Sequence, residues 1–201
     1  TLPPLGPSTD LRTNYRLGNA LLRVLLGDSG NARTLLKPLV EDQQLAVEDR
    51  ACANLLLALA GSDYFNAREN QALSQAYDLY WGRGRADGAL LCLAMLARNL
   101  AGHEADPADP EAAWLLAEQS IALLDRYQKL TASVGASTPL ADLNAAWGAL
   151  FLAEHLTDRD PNAALQRFED ARSLATRATT AGAPGSILTV AAQHLQMHAQ
   201  L

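Results

Sequence analysis

β-Branched aliphatic residues are almost missing from this chain: 5 valines and 2 isoleucines stand against 38 alanines and 38 leucines. Alanine and leucine are the best helix formers, whereas valine and isoleucine suit a pleated, half-buried strand, so a sheet-based fold is excluded and an all-α fold expected. Charged residues amount to 19% against 49% apolar, which excludes a disordered chain because enough surface can be buried to offset the entropy of ordering. A length of 201 residues suits one core-bearing domain or one compact repeat array and is too short for two ordinary domains. Apolar stretches such as Ala89 to Ala97 fall far short of the roughly 20 residues that cross a bilayer, so no transmembrane segment is expected.

A basic stripe is also lacking. The net charge is −6, and residues 1–100 carry 10 basic and 10 acidic side chains while 101–201 carry 6 and 12. Nucleic acid as a partner would need several cations side by side to neutralise phosphates, and an anionic membrane surface asks for the same. Neither requirement is met.

Only two cysteines occur, Cys52 and Cys92, each inside an Ala/Leu-rich run. They form no CxxC. One disulfide is open to them in an oxidising compartment, but two helix-interior cysteines rarely meet at the required separation, and reduced thiols acting as small hydrophobes are the expectation. Gly-rich phosphate loops, nucleophile elbows and HExxH are absent too, and the four histidines stand apart at 103, 155, 194 and 198. His194 and His198 share a helix face but have no carboxylate or cysteine nearby to complete a metal shell. Glu154 beside His155 reads as a solvated face rather than an acid/base pair. No catalytic residue, metal or cofactor is therefore assigned, and enzyme activity would require groups gathered from several helices.

Self-similarity is what the chain does have. Asn31-Ala32-Arg33 returns as Asn66-Ala67-Arg68, 35 residues later, and 12 residues before each copy stands another asparagine, Asn19 and Asn54. Both open similar runs, Asn19-Ala20-Leu21-Leu22 and Asn54-Leu55-Leu56-Leu57. Gly88-Ala89-Leu90-Leu91 and Asn144-Ala145-Ala146-Trp147 extend the series. The unit is two helices and a turn: Ser8, Thr9 or Asp10 can cap the first helix, Ser29 or Asn31 the second, and Asp109-Pro110 and Asp160-Pro161 mark later starts. The expected units are 9–46, 47–82, 85–131 and 138–181, followed by a helix from Ser186 that covers the exposed end of the last pair. Trp81, Trp114 and Trp147 are 33 residues apart but fall at different places in these units, so they are given three separate packing roles.

This pattern resembles the tetratricopeptide repeat family, whose unit is a 34-residue helical hairpin. Ala164, Phe168 and Ala171 match its second-helix pattern A-x3-F-x2-A, and Ala32, Leu36 and Leu39 match it with leucine substituted. Arg33 to Val40 looks like a common bacterial second helix with Pro38 near its end. The resemblance spans residues 10–180 and implies a right-handed α-solenoid of about four hairpins with a C-terminal cap. The tryptophan and tyrosine of its first helices are mostly Leu or Ala here, and the third and fourth units are longer.

In that family the first helices line a concave face, which implies that Asn19, Asn54 and Asn144 project into a groove. Amides that both donate and accept can grip a peptide backbone, with Arg16 and Arg50 as charged contacts. The family's carboxylate clamp pairs such asparagines with lysine or arginine, but its lysine pattern is missing. The alternative role for the same asparagines is to bond neighbouring helices and fix their register. The implied function is a non-enzymatic scaffold for a protein or extended peptide, with an acidic or carboxylate-terminated segment preferring residues 10–90. Alternatives are an intracellular regulatory or chaperone domain of a larger protein, and an enzyme or small-ligand binder with an inter-helix pocket. The Pro-rich leader, residues 1–8, resembles the stretch after the acylated cysteine of a mature bacterial lipoprotein; this implies an outer-membrane anchor on the periplasmic side, with a domain cut from a cytoplasmic protein as the other reading.

Overall fold

The computed structural model describes residues 11–61, 67–102, 110–135, 137–182 and 186–198. Among them the fold is all-α, as the shortage of β-branched residues predicts, with nine helices and no strand: α1 (Leu11–Leu25), α2 (Ser29–Glu41), α3 (Val47–Leu59), α4 (Ala67–Gly82), α5 (Ala86–Ala101), α6 (Pro110–Val134), α7 (Pro139–Leu156), α8 (Pro161–Ala181) and α9 (Ile187–His198). The leader, the caps at Ser8, Thr9, Asp10 and Asp109, as well as Asn66 and His103, lie outside the described residues.

Local chemistry sets the helix ends. Asp160 accepts from the Ala163 N–H at 3.0 Å ahead of Pro161, and the Ser186 hydroxyl accepts from the Thr189 N–H at 3.2 Å, as expected of capping residues. The cap of α2 lies before both Ser29 and Asn31: Asp28 Oδ1 accepts from the Asn31 N–H at 3.4 Å and from its side-chain amide at 3.0 Å. A carboxylate offers two strong acceptors to the positive end of a helix, so it takes the position. At the end of α1, Gly27 has φ +74 and the Asp28 N–H turns back to the Arg23 carbonyl at 2.8 Å; Gly84, φ +66, ends α4 with Arg85 bonded to Tyr80 at 2.9 Å. Both are left-handed helix stops that glycine adopts without strain.

The chain divides into two compact units, one ending at Cys92 and the other beginning at Leu93, inside α5. Within each unit, packing joins helices adjacent or next but one in the chain: α1 with α2 and α3, α2 with α3, α3 with α4; then α6 with α7, α7 with α8, and α9 with both α7 and α8. Packing this local organises burial into more than one core.

In the first unit, Leu17 and Ala20 of α1 meet Ala32, Leu36 and Leu39 of α2 and Cys52, Ala53 and Leu56 of α3. In the second, α7 is buried around most of its circumference, with Ala141, Ala145, Ala146, Gly148, Ala149, Leu152, Ala153 and Leu156 all inside, as befits a helix whose exposed residues, Glu154 and His155, lie near its C-terminal end. Small residues let it approach α5 closely: a Cβ at Gly148 would stand 3.1 Å from the Arg98 backbone nitrogen and 3.2 Å from its Cα. In the first unit a Cβ at Gly88 would come within 2.7 Å of the Tyr80 ring.

The three tryptophans do differ. Trp81 is exposed and stacks on Tyr77, Trp114 donates to Glu118 at 2.8 Å under the guanidinium of Arg159, and Trp147 tilts against Phe151. No described helix is long and apolar enough to cross a membrane.

Candidate functional site

The asparagines that recur along the sequence do not line an open face. Asn54 is 2% exposed and Asn144 6%, while Asn19 is half-buried. The reason is local. On α3 the Asn54 side-chain amide donates to the Arg50 carbonyl at 2.9 Å, and on α7 the Asn144 amide donates to the Leu140 carbonyl at 2.8 Å. Each folds back onto its own preceding turn, which draws the side chain against the helix.

Their oxygens then have three different fates. Asn144 Oδ1 accepts from the Arg98 guanidinium at 2.8 Å, which ties α7 to α5. Asn19 Oδ1 accepts from Arg23 Nε at 3.1 Å on its own helix α1. Asn54 Oδ1 is buried without any hydrogen-bond partner, the one such side-chain atom among the described residues. A buried acceptor left unmatched costs about 1–3 kcal/mol, and native proteins hold few of them.

Asn54 lines a cavity of about 450 Å³ with Val40, Glu41, Gln43, Arg50, Gln75, Asp78 and Leu79. The walls are the end of α2, the turn after it, α3 and α4. Arg50, half-buried, donates to Gln43 Oε1 at 2.7 Å, so its guanidinium is held at the rim. Arg16, the remaining charged residue proposed from sequence, is exposed on α1 and does not join these residues. Of the five residues expected to bind, the cavity brings together Arg50 and Asn54.

A neighbouring cavity of about 410 Å³ shares Val40 and Glu41 and is lined further by Arg33, Thr34, Lys37, Leu57, Arg68 and Glu69. Arg33 holds its inner end: its Nε donates to the Ala60 carbonyl at 3.1 Å, and its NH2 group to the buried carboxylate of Glu69 at 2.8 Å. Gly61 stands against that carboxylate, leaving no space for a side chain. The second arginine of the tripeptide repeat, Arg68, is exposed on the first turn of α4.

Sequence reasoning missed Glu41, Gln43, Gln75 and Asp78, because nothing in their spacing separates them from ordinary surface polar residues. It also missed Asp142, which is 1% exposed on α7 and accepts from Tyr127 Oη at 2.8 Å, Ser137 Oγ and Arg177. An acid at the first turn of a helix with no other polar face was the available signal. With three donors on it, this carboxylate holds α6 and α8 to α7.

Titration follows burial. Burial, then the charge of Asp49, raises the Cys52 thiol from 9.0 to about 12. Burial likewise raises Cys92, Tyr80 and Tyr127, the last also through the Asp142 carboxylate. Both cysteines are free and buried, so neither is poised as a nucleophile. Among the described residues no three His, Cys, Asp or Glu side chains gather as a metal site. His155 and His194 are exposed. Compared with known proteins, the chain matches no family model, no curated protein and no solved structure.

Proposed function

We propose that the chain is a tetratricopeptide-like interaction module in which the α2–α4 side of the first unit grips an extended segment of a protein partner. The observation that carries this reading is the unmatched Oδ1 of Asn54 at a cavity large enough for a ligand group. A peptide presents N–H donors along its backbone, and one donor placed at Asn54 would satisfy the buried acceptor at the moment of binding. Two adjoining cavities that share Val40 and Glu41 give the segment a path rather than a single hole. The helical-repeat resemblance is supported by burial of its small and apolar positions, Ala32, Leu36, Leu39, Ala164 and Ala171.

In this reading the asparagine series has separate jobs. Asn54 binds, Asn144 holds two helices together, and Asn19 braces the end of α1. The test is capture of partners from the native host by the unaltered chain and by Asn54→Leu. Partner loss with an unchanged melting temperature supports the groove. Undiminished capture by Asn54→Leu refutes it.

A further inference from the structure

We infer that the segment held at α2–α4 inserts a basic side chain, arginine or lysine, into the cavity at Asn54. The inference rests on the peptide-binding reading above and adds the charge of the ligand to it.

The charged side chains of the lining are Glu41, Asp78 and Arg50. Glu41 and Asp78 are exposed carboxylates with no ion-pair partner among the described residues. Asn54 adds a carbonyl oxygen that accepts nothing, while its amide donates to the Arg50 carbonyl. The one cation of the lining, Arg50, donates to Gln43. Two carboxylates against one guanidinium leave the lining net negative. An anionic group entering here would meet Glu41, Asp78 and the Asn54 oxygen. A guanidinium or ammonium brings only donors, and can bond the amide oxygen while its charge faces the two acids.

The contrast between a neutral first hundred residues and an acidic remainder points to an acidic segment; the side chains that surround this cavity argue for the opposite sign. Arg50, which donates to Gln43 at the rim, sets one positive charge against the two acids.

The experiment is an NMR titration of the labelled full chain with three acetylated, amidated pentapeptides, alanines around a central arginine, norleucine or glutamate, and separately with ethylguanidinium. The arginine peptide is expected to move the Asn54 side-chain amide signals and to bind about tenfold more tightly than the norleucine peptide, the discrimination typical of a charge-assisted hydrogen bond. Asp78→Asn and Glu41→Gln, at exposed positions where folding is not at stake, should each weaken the arginine peptide and leave the norleucine peptide unchanged.

Equal binding of norleucine and arginine peptides, or tighter binding of glutamate, would overturn the basic side chain while leaving the groove in place. Ethylguanidinium binding as tightly as the peptide would show a site for free cations and overturn the proposal. No response at Asn54 to any peptide would overturn both the groove and its charge preference.

Discussion

Arg98 on α5 donates to Oδ1 of Asn144 on α7 at 2.8 Å, across 46 residues of chain. The same asparagine donates backward to Leu140, so both ends of its amide are in use. Asn144→Ala would remove this tie between α5 and α7 and should cost about 1–3 kcal/mol, read by chemical denaturation. Partner capture, if it runs through α2–α4, should be untouched.

Asn54→Leu should behave in the opposite way. It replaces a buried acceptor without a partner by an apolar group of similar size, and such exchanges are close to neutral or stabilising. The melting temperature is expected to stay level or rise. A fall of several degrees would mean that the bond to the Arg50 carbonyl outweighs the unmatched oxygen.

Glycine to alanine within a helix normally gains about 1 kcal/mol. At Gly148 the added Cβ would press on the backbone of α5, and at Gly88 on the buried ring of Tyr80. Neither neighbour is the free end of a flexible side chain, so overpacking of about 1–3 kcal/mol should win. Both variants are predicted to melt below the parent, with Gly88→Ala, the tighter of the two, falling further.

Alkali should unfold the chain through its buried thiols and phenols. In the unfolded state Cys52 loses its proton near 9.0, but in the fold it keeps it to about 12. Above 9 the folded state therefore binds more protons than the unfolded one, and stability falls with rising pH, by up to about 1.4 kcal/mol per unit for this one group. It is complete below 9 and lost on the way to 12. Cys52→Ala should flatten the pH dependence of denaturation over that window; an unchanged slope would show that Cys52 is not protected.

A chain ending at Gly182 should be less stable than the parent. It loses α9, whose Ala192 and Leu195 are fully buried and whose Gln196 donates to Thr176 at 2.9 Å. Leu195 alone is worth about 1.5–3 kcal/mol. Thermal melting of the truncated chain measures the loss.

Much of the helical framework could be read beforehand because its causes are local: an alanine and leucine excess, Asp160 before Pro161, Ser186 before an apolar run. The slip at Asp28 shows the limit, since three capping residues stood within four positions and only geometry chooses among them. The candidate site was half legible. Recurrence at 35 residues drew attention to Asn54, but whether an asparagine faces outward or folds onto its own turn depends on a rotamer that spacing does not encode. The bonds that decide roles are also distant ones: Arg33 with Glu69 over 36 residues, Arg177 with Asp142 over 35. Nothing in a window of a dozen residues announces such pairs.

The alanine-lined helix α7 carries a consequence for how this chain can evolve. In most cores the damaging change is truncation of a large side chain to a small one. Here many interior positions are already at the minimum, as at Ala141, Ala145, Ala146, Ala149 and Ala153, so there is little left to cut away and enlargement is the harmful direction. Residues larger than serine or cysteine should be selected against at these sites, and a sequence descended from this one should be recognisable less by conserved bulky residues than by the places where bulk never appears.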